Sequence, residues 1–190
     1  MTGLFKFMLQ FMLKPGENLR PRIARVPENL SHSDPVTWVS TWFYTGLLRP
    51  ASGSWGSLAA LPFAYLFTLI PMLEQMRLVS AAFFIILFYA IGVWSSGKFA
   101  DAENNTDPAS VVIDEVVGMW ICLLFTPPSA VWWGVAFLAF RFFDIAKVFP
   151  ANWCEKNLKG GLGVMTDDVV AGIYAGIVVM FLSGLKYFAV

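Results

Sequence analysis

The sequence predicts an all-α, multihelical integral membrane protein, with about five short hydrophobic helices and a polar site on one side. Three observations predict it. Of the 190 residues, 57% are hydrophobic and 14% charged, whereas an ordinary soluble domain has about 25% charged residues. The hydrophobic residues fall in five stretches without strand alternation, at lengths that favour helices. The carboxylates border or enter those stretches instead of being spread along the chain. A formal net charge of zero gives no general attraction to nucleic acid. The two cysteines, Cys122 and Cys154, form no disulfide framework.

Residues 1–14, MTGLFKFMLQFMLK, put Leu4, Met8, Phe11 and Met12 on one helical face and Lys6, Gln10 and Lys14 on another. That is the pattern of a helix lying in the membrane interface. A signal peptide is the competing reading, but Lys6 breaks the apolar core and no small-residue cleavage site follows. Residues 15–36 carry four prolines and read as an irregular linker. The chain thus divides into an amphipathic segment with linker, 1–36, and a membrane domain, 37–190. Next comes TGLLRPASGSWGSL (45–58), a glycine- and serine-rich turn. With Ser54 and Ser57 it is either a phosphate-binding turn with exposed backbone N–H groups or a flexible loop before a helix.

The apolar stretches are 58–72, 78–94, 111–125, 130–140 and 169–185. A perpendicular crossing needs about 20 apolar residues, so several are marginal as full spans. Ala171, Gly172, Ala175 and Gly176 form small-xxx-small pairs that let helices approach closely. If successive stretches alternate direction, Glu74, Arg77 and Lys186 fall on one face, and every other charged residue falls on the opposite one. Lys/Arg excess marks the cytoplasmic side. The polar chemistry is therefore expected to face the cytoplasm.

Three carboxylate motifs share that face: DPASVVIDEVVGM with Asp107, Asp114 and Glu115; FRFFDIAKVFP with Arg141, Asp144 and Lys147; and GGLGVMTDDVVAG with Asp167 and Asp168. Each has a bland reading. The Asp114–Glu115 and Asp167–Asp168 pairs could cap helices, and Asp144 could form an intrahelical ion pair with Arg141 or Lys147. Jointly they point to a site. Clustered acids repel unless compensated. A hard divalent cation such as Mg²⁺, which takes carboxylates, waters and substrate phosphate, resolves the repulsion. Arg141 and Lys147 beside the acids imply an anionic substrate. The single histidine, His32, lies in the linker, so a route with a phosphohistidine and a second histidine acid is not supplied. No DxDxT aspartyl-phosphate motif and no CDP-alcohol transferase pattern is present. Metal-assisted attack by water remains.

The blocks TGLLRPASGSWGSLAALPF, DPASVVIDEVVGM, FRFFDIAKVFP and GGLGVMTDDVVAG, in that order over about residues 45–176, resemble the phosphatidylglycerophosphatase A family. Three positions depart from its usual pattern: Ser52 where proline is usual, Ser54 where threonine is usual, and Val148 in place of the proline after Lys147. The resemblance implies a multi-pass, Mg²⁺-dependent enzyme of the bacterial inner membrane. It would hydrolyse phosphatidylglycerophosphate to phosphatidylglycerol and phosphate. The mechanism expected from these residues gives Asp114, Glu115, Asp167 and Asp168 to Mg²⁺, directly or through water, and Asp114 and Asp168 thereby act in catalysis. Asp144 is a further ligand or the base for the attacking water, and Arg141 and Lys147 steady the phosphate. A phosphatase for another lipid phosphomonoester, and a cation channel or transporter lined by the acids, are the alternatives.

Overall fold

The computed structural model describes residues 22–69 and 74–188. The interfacial helix expected at 1–14 and the first part of the linker lie outside the described residues, as do the side chains at 74–75 and 185–188. What is described of the linker is not irregular throughout. A two-residue strand, β1 (Arg22–Ile23), pairs antiparallel with β2 (Leu48–Arg49), Arg22 opposite Arg49 and Ile23 opposite Leu48. A short helix, α1 (Pro35–Ser40), follows where Asp34 accepts the Val36 N–H at 2.8 Å and Pro35 opens the first turn. Both are standard helix-start devices, because a carboxylate satisfies a free N–H and proline lacks one.

The apolar stretches form α2 (Ser52–Leu69), α3 (Glu74–Glu103), α4 (Ile113–Leu124), α5 (Ala130–Ala146) and α7 (Gly161–Phe188), with a short α6 (Ala151–Asn157) before the last. The expectation of short helices holds for α4, whose 12 residues reach about 18 Å. It fails for α3 and α7, with 30 and 28 residues. Backbone hydrogen bonding continues through the polar ends that a hydropathy pattern leaves out. Met76–Glu103 and Gly161–Gly184 are long and apolar enough to cross a membrane, each with an 18-residue stretch whose mean hydropathy is 2.2 and 1.7 respectively.

Helix α4 is the centre of the molecule. Every residue from Ile113 to Met119 is buried, which explains why its sequence beyond the two acids of the first turn is apolar on all sides. Helix α7 packs on α4, α5, α3 and α6. Where α4 and α7 cross, a Cβ on Gly118 would meet the Asp168 carbonyl oxygen at 2.6 Å, and one on Gly172 would collide with the Gly118 carbonyl. Only glycine permits that approach. Ala171 and Ala175 are buried in the same seam. Val79, Phe83 and Ile86 on α3, Leu66 on α2 and Phe181 on α7 are exposed. They form the surface expected where the solvent is hydrocarbon.

The turn after α4 sends α5 back, and Ser129 caps it by accepting the Trp132 N–H at 3.4 Å. The first turns of α2 and α4, the end of α5 and the early turns of α7 are thereby gathered at one end of the bundle, where the charged residues meet.

Candidate active site

Asp114 and Glu115 occupy the first turn of α4, and among the described residues no side chain caps the start of that helix. Free N–H groups and the helix dipole favour negative charge there. The chain entering α4 is fixed by the Val112 N–H, which donates to the Ser40 carbonyl at 2.8 Å. Helix α7 starts at Gly161, so Asp167 and Asp168 lie well past its first turn and do not cap it. Successive helical residues point about 100° apart. Asp168 accordingly faces α4 while Asp167 faces the end of α5. Oxygen atoms of Asp114, Glu115 and Asp168 lie within 4.8 Å of one another, and all three residues are buried.

Arg141 and Asp144 reach the same place from α5. Arg141 is 1% exposed. Its Nη1 is in charge contact with Asp144 Oδ2 and 3.9 Å from Glu115 Oε1. Asp144, Glu115, Asp168 and Asp114 all act electrostatically on it. Its Nε is buried with no hydrogen-bond partner among the described residues. Lys147, the left-handed cap of α5 at φ 44°, points elsewhere. Its Nζ donates to Asp167 Oδ2 at 2.9 Å and pairs with Glu155 Oε1 of α6 at 2.7 Å. Burial alone would lower the pKa of this ammonium. The Asp167 charge and the contacts with Glu155 and Asp167 outweigh burial and hold it above its ordinary value. Lys147 therefore stays charged throughout the neutral range.

The structure thus brings Asp114, Glu115, Asp168, Asp144 and Arg141 together and sets Asp167 with Lys147 beside them. Asp107 is exposed on the loop before α4. Of the glycine- and serine-rich stretch, residues 45–49 form a 3-10 turn and β2, and the part from Ser52 opens α2. Ser57 Oγ donates within the helix to the Gly53 carbonyl at 2.8 Å, and Ser54 Oγ is buried without a hydrogen-bond partner among the described residues. One contributor escapes sequence reasoning, and another, Gly53 of the glycine-rich turn, has a role that the turn's pattern does not signal. Glu155 is the second partner of Lys147, and nothing in its spacing signals that. Gly53 lies against the acids: a Cβ there would collide with Glu115 Oε1 and meet Arg141 Nη1 at 2.9 Å. Gly53→Ala is therefore expected to displace Glu115 and lower kcat/KM by about ten- to a hundredfold, since an ångström of misplacement is that costly. Kinetics with circular dichroism of the same preparation check it.

These residues fit a hard cation. Among the described residues, four carboxylates, Asp114, Glu115, Asp144 and Asp168, face the Arg141 guanidinium. Ionised together, they carry excess negative charge in a buried place, which is costly without a compensating cation. Glu115 Oε2 is buried and has no hydrogen-bond partner among the described residues. An all-oxygen carboxylate set suits Mg²⁺ better than a softer metal.

Residues 38–183 match the family model described as Phosphatidylglycerophosphatase A. Phosphatidylglycerophosphatase A of Escherichia coli (strain K12) is 36% identical over 81% of this chain and 87% of its own length. The protein of that name from Haemophilus influenzae is 36% identical over 80% of this chain and 91% of its own. A Bacteroides thetaiotaomicron protein described as "Putative phosphatidylinositol-3-phosphatase" is 39% identical over 74% of this chain and 89% of its own. No solved structure matches the chain. With the family model matched over most of the sequence and relatives aligned along nearly their whole length, the chain belongs to the phosphatidylglycerophosphatase A family.

Proposed function

We propose that this protein is a Mg²⁺-dependent lipid phosphatase that hydrolyses phosphatidylglycerophosphate to phosphatidylglycerol and phosphate in phospholipid biosynthesis. We place it as a multi-pass protein of the bacterial inner membrane with its site toward the cytoplasm. One observation carries the reading: three buried carboxylates converge at one end of an apolar helix bundle, in a chain of this family. A site so placed meets a phosphate at the bilayer surface while the lipid stays in the membrane.

Asp114, Glu115 and Asp168 would hold Mg²⁺, with Asp167 adjoining through its pair with Lys147. When bound, the ion supplies Lewis-acid polarisation of a phosphoryl oxygen and neutralises developing charge. Hydrolysis joins a water oxygen to phosphorus and breaks the ester P–O bond. The proton lost by the water goes to a carboxylate, with Asp144 the candidate unless it serves as a further ligand, and the departing glycerol oxygen takes up a proton from that acid or from solvent. Arg141, wedged between Asp144 and Glu115, orients both carboxylates and offers a guanidinium to the phosphate. Lys147 holds Asp167 and adds positive potential at the rim. Ser54 and Ser57, at the start of α2, are the remaining candidates for phosphate contacts.

A phosphatase for a different lipid phosphomonoester is the second reading, favoured by the name of the Bacteroides relative. A channel or transporter is not favoured, because α4 below the acids is sealed by buried Val116, Val117, Met119 and Cys122. Phosphate release by purified protein, measured across lipid phosphomonoesters with Mg²⁺ or with chelator, tests the assignment. Mg²⁺-dependent release fastest from phosphatidylglycerophosphate is expected, and release without divalent metal, or from no lipid, overturns it. For orientation, cysteines replacing Thr106 and Lys156 are expected to react from the cytoplasm and one replacing Pro128 from the opposite side. Labelling of Thr106→Cys and Lys156→Cys from opposite sides would break the layout.

A further inference from the structure

A cavity formed by the described residues lies apart from the acids. It is a groove of about 500 Å³ between α2, α3 and α4, walled by Phe63, Phe67, Phe84, Phe88, Trp120 and Leu123. That volume is typical of a ligand site. Its polar lining residues, Thr68, Arg77 and Thr126, all lie at the end away from the acids. At the other end stands Trp42. Trp120 is six residues beyond Asp114 on α4, about 9 Å along the helix. The groove thus begins one headgroup's length below the carboxylates and runs away from them. Its rim residues Phe43, Leu66 and Leu78 are exposed, on the surface that faces hydrocarbon.

Trp42 supplies independent evidence of a ligand. It is 3% exposed, yet its indole N–H is buried with no acceptor among the described residues. A buried donor left unpaired is uncommon and unfavourable. Its backbone is also strained. Trp42, Phe43 and Tyr44 have φ of 42°, 53° and 69°, three bulky residues in succession in the left-handed region. Such outliers persist only where the surroundings over-determine them, and they cluster at ligand clamps. Here the Phe43 N–H donates to the Trp38 carbonyl at 2.9 Å, the Gly46 N–H to the Thr41 carbonyl at 2.9 Å, and the Tyr44 hydroxyl to the His32 carbonyl at 2.6 Å. The turn is held so that Trp42 closes the groove at the end nearest the acids.

We propose that this groove holds an acyl chain of the lipid substrate, with the Trp42 N–H donating to the ester carbonyl at the head of that chain. The proposal rests on the lipid phosphatase reading above. It makes the enzyme a reader of the tail as well as the phosphate, drawing its substrate laterally from the leaflet.

The test uses the full chain in nanodiscs with three forms of phosphatidylglycerophosphate: long-chain ester, short-chain ester and long-chain ether. A long-chain ester carrying a diazirine in the distal half of the chain reports occupancy. The wild type is expected to favour long over short chains through KM, and ester over ether by about three- to tenfold, the worth of one hydrogen bond. Photolabel should map to α2 and α3. Ala81→Trp, which fills the groove from α3, should abolish the label and the chain-length preference; Ala64→Phe does so from α2 if Ala81→Trp fails to fold. Trp42→Phe keeps an aromatic ring, removes the donor, and should erase the ester–ether difference. Label outside the groove, or both preferences intact in these variants, overturns the proposal. Groove labelling by the wild type with no hydrolysis of any lipid overturns the phosphatase assignment instead, and leaves the groove as an acyl-chain site.

Discussion

Asp168→Asn, Asp114→Asn and Glu115→Gln are each expected to lower kcat/KM by about a hundredfold or more while the protein keeps its helical content in detergent. The magnitude is that of removing one charged group from a dry site built for charge stabilisation. The direction of the stability change separates this role from a structural one. The three residues converge within 4.8 Å and share one buried guanidinium with Asp144. Without divalent cation, each neutral replacement relieves like-charge repulsion. The variants should therefore unfold at the same temperature as the parent protein, or higher, in chelator. They should also lose most of the stabilisation that Mg²⁺ gives the parent, because ligand binding stabilises only the state that binds. Thermal unfolding with and without Mg²⁺, alongside kinetics, measures both. Variants that unfold early in chelator yet retain turnover would return these carboxylates to structural pairing.

Arg141→Met carries the second large effect, in the opposite sense. The guanidinium is fully buried against Asp144 and Glu115. Removing it leaves those carboxylates facing one another without their counter-ion, and breaking a buried pair from one side costs about 3–5 kcal/mol. A marked fall in unfolding temperature in chelator is expected, with partial recovery in Mg²⁺. Arg141→Lys should fall between, since it keeps the charge and loses the planar fork. The double variant Arg141→Met, Asp144→Leu should recover much of the stability but no activity. Full stability in Arg141→Met, with only the phosphate KM raised, would show instead that the residue serves the substrate alone. Lys147→Met should be milder, because its partners Asp167 and Glu155 are nearer to water and the pair is partly exposed.

Much of this arrangement was legible from the chain. The apolar stretches mark α2, α3, α4, α5 and α7, because a run of hydrophobic residues reports local preference and solvent in one dimension. The small residues Ala171, Gly172 and Ala175 were legible as a packing seam for the same reason, and they meet α4 at Gly118. Helix α1 was legible and passed over, since Asp34 followed by Pro35 is a cap signal inside a polar segment. The short α6 was not. Its seven residues are too few for a periodicity, and they take helical form between the ends of α5 and α7.

The sequence by itself determined that this is a helical chain made for hydrocarbon, and which carboxylates could do its chemistry. Composition, hydrophobic runs and the ordered acidic motifs are properties of residues near one another along the backbone, and a sequence displays those directly. Only the tertiary structure decided which acids meet. Asp167 and Asp168 are adjacent in sequence, yet one turns to Lys147 and the other to Asp114 and Glu115, because helix rotation separates them. It also decided that Gly53 leaves room for Glu115, and that Arg141 reaches the site already paired with buried acids. Trp42, one of a run of aromatic residues before α2, becomes the head of a groove only because α2, α3 and α4 converge on it. Each of these depends on contacts between residues far apart in the chain, and their identity is set by how the helices rotate and cross, which no local pattern records.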